Sequence, residues 1–160
     1  MSAVISADTW YRYRLTRDIG MMGDGAVCFV MLNPSIADAT NDDPTIRRCI
    51  GYARTWNCAR LEVVNLFAYR STDPAALYGP PCIDVVGVEN DRHIAEACKE
   101  SRIIICAWGN HGALHRRGNS VLKDIRAQGC IPMALKINEK SGQPSHPLYL
   151  RADATPRPMP

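Results

Sequence analysis

Four short apolar runs, each separated from the next by a helical pattern and each ending in a polar turn, constrain this chain more than any other feature. Residues 26–32 (AVCFVML), 61–67 (LEVVNLF) and 102–107 (RIIICA) are continuous apolar stretches of strand length, and 131–137 (IPMALKI) is a weaker fourth in which Pro132 marks a strand start or an edge. Between them, Asp43-Pro44 opens a helix as an N-cap acid followed by a first-turn proline, and Ile46, Cys49, Ile50, Ala53 and Trp56 then fall on one face. Asp73-Pro74 repeats that start signal. Residues 87–100 put Ile94, Ala97 and Cys98 on one stripe, and a helix over 119–128 stops at Gly129.

Strands alternating with helices through short loops predict an α/β fold, three-layered as α/β/α, around a central, mainly parallel four-stranded sheet. The alternating WYRYRL near the N-terminus is expected to add an edge strand. A chain of 160 residues supports one hydrophobic core. A single domain is expected over residues 1–150, with 151–160, ending TPRPMP, as a disordered tail.

A net charge of +3 permits DNA as a partner without implying it. No run approaches the ~18 apolar residues that would cross a bilayer, and MSAVISADTWYRYR lacks the pattern of an export signal, so a cytoplasmic location is expected. The seven cysteines stand singly at 28, 49, 58, 82, 98, 106 and 130 with no C-x-x-C pair, which argues against a disulfide framework and against zinc. Cys28 and Cys106, inside apolar runs, read as buried thiols.

Ligands of open parallel sheets bind beyond the carboxyl ends of the strands, and here all four exits are polar. The first carries Asn33, Pro34 and Ser35, then Asp38, Asp42 and Asp43. Asn33-Pro34 reads as a turn or as a ligand contact; the acids have no diagnostic metal spacing, Asp43 already serves as a helix cap, and no metal or cofactor is assigned. Asn65 interrupts an apolar strand, so its amide must find backbone partners or a ligand's hydrogen-bonding edge. Tyr69 and Arg70 follow, able to stack or hold phosphate, or merely to face solvent.

Trp108, Gly109 and His111 lie in WGNHG, where the glycines either shape the turn or let a ligand approach the backbone. His115, Arg116 and Arg117 form a small basic patch. His146, next to Pro147 and shortly after Pro144, is a restrained histidine able to donate to a developing anion or transfer a proton.

The phrases MLNPSIADATNDDPTIRRC, VVNLFAYRSTDP, VGVEND, CAWGNHG and GQPSHPLYL closely resemble a bacterial and phage family of unknown function across residues 12–150. More distantly, the arrangement resembles the uracil-DNA glycosylase superfamily, which implies a small parallel sheet between helices. That resemblance implies that Asn33-Pro34 positions an attacking water, that Asn65 reads a base, and that His146-Pro147 stabilises the departing base. Leu148 stands where the superfamily has a backbone-pinching serine, and there are no iron–sulfur cysteines.

Two functions are therefore expected side by side. One is a glycosylase-like hydrolase of an N-glycosidic bond in a nucleotide, nucleoside or modified DNA base, with Asn33 and His146 catalytic, Asn65 on the base edge and Trp108 or Tyr69 stacking. The other is a non-catalytic nucleotide-binding module of phage or defence biology, using the same pocket.

Overall fold

A computed structural model gives the structure and describes residues 1–35 and 37–160. In chain order the elements are β1 (Ser2–Ile5), β2 (Arg12–Asp18), β3 (Ala26–Met31), α1 (Pro44–Thr55), β4 (Arg60–Asn65), α2 (Asn90–Lys99), β5 (Ile103–Cys106), α3 (Arg117–Ala127), β6 (Pro132–Ala134) and β7 (Arg157–Pro158). Three 3-10 turns, Pro74–Tyr78, Asn110–Arg116 and Pro147–Tyr149, shape the loops.

The sheet is mixed and seven-stranded, in the order β1-β2-β4-β3-β5-β6-β7. The four expected strands form its parallel centre, with β3 pairing in parallel with both β4 and β5, and β5 with β6. The expectation of four strands is corrected to seven by antiparallel additions on both flanks. WYRYRL supplies β2 as expected, but β1 covers its outer side, so β2 is not the edge. Residues 151–160, expected to be disordered, instead carry β7 back onto β6, and Arg126 donates to the carbonyls of Met159 and Pro160. Both additions rest on very short pairings, too brief for a hydrophobic period to register.

Side-chain alternation divides the core in two. Val27, Phe29 and Met31 of β3, with Leu61 and Val63 of β4, pack with Ile46, Cys49, Tyr52 and Ala53 of α1. Cys28, Val30 and Val64 point the other way, onto Ile94, Ala97 and Cys98 of α2 and Val121 and Ile125 of α3. Asp43 caps α1 as expected, its Oδ1 accepting from Ile46 N at 2.8 Å. Asp73 caps only the short 3-10 turn.

The chain leaves β3 toward α1 on one face and leaves β5 toward α3 on the other. The two adjacent exits diverge, and a crevice opens between them. No helix among the described residues is long and apolar enough to cross a membrane.

Candidate functional site

That crevice is a cavity of about 540 Å³, within the range usual for small-molecule sites. Asn33, Ser35, Asn65, Trp108, Gly109, His111 and His146 all line it, although they come from four separate stretches of sequence. Pro34, Asp38, Asp42, Tyr69 and Arg70 do not. Asp38 Oδ1 accepts from the amides of Thr40 and Asn41, which holds its pKa below the usual carboxylate range and closes its own loop. Asp42 pairs with the buried Arg17 at 2.7 Å. Tyr69 packs edge-on against Trp10 and Tyr11, and Arg70 donates to Thr9 O.

Asn65 ends β4 on the α1 side of the sheet, where alternation from Leu61 and Val63 directs it. It is 1% exposed, and its Nδ2 is buried with no hydrogen-bond partner among the described residues. The strand end is fixed from behind: Asn90 Nδ2 donates to the carbonyls of Asn65 and Leu66, and Arg117 Nε donates to Leu66 O. The backbone is thus satisfied while one side-chain donor remains unused, an arrangement that costs about 1 to 3 kcal/mol unless a ligand fills it.

Asn33 Nδ2 donates to Ser71 O at 2.8 Å and, at 3.4 Å, to Pro34 O. Two carbonyl partners fix which end of the amide is nitrogen, leaving Oδ1 as the available acceptor. Trp108 is 2% exposed, and its Nε1 donates to Gln143 Oε1 at 2.8 Å. Gly109 adopts φ +72° and donates to Pro144 O, tying the loop after β5 to the loop that carries His146. His111 Nδ1 bonds the hydroxyl of Tyr78 at 2.9 Å.

His146 caps the turn Pro147–Tyr149, its Nδ1 accepting from Leu148 N at 3.3 Å. An accepting Nδ1 places the proton of the neutral ring on Nε2. Burial lowers its pKa from the ordinary 6.5, opposed by the charge of Asp43, so the ring stays neutral at pH 7. His93, stacked on Tyr13, is also shifted down by burial.

The unfolded chain therefore takes up protons on these two histidines at a higher pH than the folded one. Stability is full above about 6.5 and is lost as pH falls through that value toward the lowered folded pKa values. The melting temperature is expected to be lower at about pH 5.5 than at about pH 7.5, with a smaller difference in His146→Gln; an unchanged difference would remove His146 from the account.

Among the lining residues that the sequence reading does not assign to the site are Asp43, Arg12 and Tyr149. Asp43 is the one carboxylate on the lining, and its cap role concealed it. Arg12 is 2% exposed although it lies in a strand whose alternation reads as a solvated edge. Tyr149, 84% exposed, lines the cavity, which Tyr69 does not. Only charge within β2 could have flagged Arg12, since Arg12, Arg14 and Arg17 share seven residues. No group of three or more His, Cys, Asp or Glu side chains among the described residues is placed to hold a metal ion.

Fold and crevice together define a mixed α/β protein with a polar site at the carboxyl rim of its parallel strands. The chain belongs to the family described as protein of unknown function, DUF1643, whose model matches residues 12–148. No curated protein and no solved structure gives a significant match.

Proposed function

We propose that this cleft binds a nucleobase and hydrolyses its N-glycosidic bond, on a glycosylase-like sheet. The observation that carries the reading is the buried, unpartnered Nδ2 of Asn65 on the wall of a cavity that also holds Asn33 and His146. A donor kept dry and unused on a rigid strand end suits a base edge, which presents in-plane acceptors.

In this reading water is oriented by Asn33 Oδ1 and gives its proton to the Asp43 carboxylate as its oxygen attacks the anomeric carbon. The carbon–nitrogen bond breaks with its electron pair passing to the base, whose charge is met by the Nε2–H of His146. The proton on Asp43 then returns to the base, giving free base and a sugar hydroxyl. The lining of Trp108 and Tyr149 supplies aromatic surface at the floor and the mouth.

The binding-module reading is favoured by a different observation: Asn33 is an amide and takes no proton, so turnover depends on Asp43, one oxygen of which already caps α1.

The test incubates the protein with the common nucleosides and their monophosphates, following complexes by native mass spectrometry and released base by chromatography. Complexes and free base are expected. Asn65→Leu should weaken binding about tenfold or more yet melt no lower than the natural chain, because it removes a buried donor without a partner. Absence of any complex, together with a lower melting point for Asn65→Leu, would return Asn65 to a packing role.

A further inference from the structure

Three arginines are buried: Arg12, Arg17 and Arg117. Arg17 has Asp42 against its Nε, and Arg117 is paired with Asp91. Arg12 differs from both. Its only side-chain hydrogen bond among the described residues runs from Nη1 to Ala37 O at 2.5 Å, its Nε is buried without a partner, and no carboxylate forms an ion pair with it. It is also the one buried arginine that lines the cavity beside Asn33 and Asn65.

A guanidinium removed from water is costly unless an anion meets it, and proteins seldom leave one half-bonded. Burial depresses the pKa of Arg12 to about 10, which still leaves it cationic at pH 7. Asp43 raises that pKa from a distance, but its Oδ1 is engaged with the helix. The fixed fork of an arginine matches phosphate oxygens, two at a time.

We infer that the unpaired guanidinium of Arg12 is an anion subsite for the phosphate of a free nucleoside monophosphate whose base occupies the Asn65 end of the same cavity. The inference rests on the nucleobase reading above and narrows it. The cavity of about 540 Å³ has room beyond a base alone, and the phosphate supplies the partner that Nε lacks. Hydrolysis of such a ligand would yield a free base and a sugar phosphate.

Calorimetric titration of the full chain with a nucleoside, its 5′-monophosphate, inorganic phosphate and a short single-stranded oligonucleotide tests this. The monophosphate is expected to bind at least about tenfold more tightly than the nucleoside, the scale of one charge-assisted hydrogen bond. Arg12→Met, which keeps the stem and removes the charge, should erase that preference while nucleoside affinity stays.

Equal affinity of nucleoside and monophosphate for the natural chain would overturn the subsite but leave the base pocket, and it requires no variant to fold. Binding of phosphate through Arg12 with no nucleoside bound would do the reverse. Binding of the oligonucleotide alone would overturn the assignment to a free nucleotide, and binding of none of the four would overturn both.

Discussion

His146→Ala is expected to reduce base release by about a hundredfold or more while the fold persists. One preorganised donor aimed at a developing anion is typically worth about 3 to 4 kcal/mol in the transition state, because the bond strengthens only as charge appears. The structural cost is small by comparison. His146 is half-buried, and its one hydrogen bond accepts from Leu148 N across a short turn, so its loss costs about 1 kcal/mol.

For a chain of this length that corresponds to a melting point lower by roughly 2 to 4 °C. If the cleft only binds, the same change should weaken the nucleotide by about 1 to 2 kcal/mol with no turnover to lose. A variant that melts many degrees lower yet binds normally in the folded fraction would leave His146 as a cap and nothing more.

The contrast between Asn65 and Arg12 shows what was legible beforehand. Asn65 announced itself by interrupting an apolar strand, because a polar residue inside a hydrophobic period is visible without coordinates. Asn33, Trp108 and His146 were legible by the same logic of strand exits, since four parallel strands must end at one rim. Arg12 follows no such rule. It lies on an antiparallel strand outside the parallel centre, beside a register shift in the β1–β2 pairing that breaks strict alternation, so a period of two does not place it on the cavity side.

Asp38 and Asp42 misled for the opposite reason. Their place in an exit loop suggests a ligand site, but short-range bonding to Thr40 and Asn41 and the hidden Arg17 absorb them. Near neighbours decided Asp38, and a partner distant in sequence decided Asp42.

Gly112→Ala is expected to lower stability by about 3 kcal/mol and the melting point by roughly 6 to 12 °C. A methyl group built at Gly112 would lie 1.9 Å from Trp108 Cδ1 and 2.4 Å from its Nε1. Gly118 lies against the ring as well, where an added Cβ would come within 3.1 Å of Nε1, and Nε1 is bonded to Gln143. Relief therefore requires moving a buried tryptophan and breaking its hydrogen bond, which adds about 1 kcal/mol to the overpacking.

Gly109, three residues earlier, serves a different purpose. Its φ of +72° with ψ −170° is a backbone conformation almost confined to glycine, yet nothing lies within 4 Å of where its Cβ would be, so Gly109→Ala should cost about 1 to 3 kcal/mol of backbone strain without moving the tryptophan. Trp108 forms a wall of the cavity, so Gly112→Ala should also abolish nucleotide binding in whatever remains folded, whereas Gly109→Ala should retain it. Melting curves and titrations of the two variants decide the matter: if Gly112→Ala melts within about 2 °C of the natural chain, the ring is not wedged and the wall it forms is softer than its contacts imply.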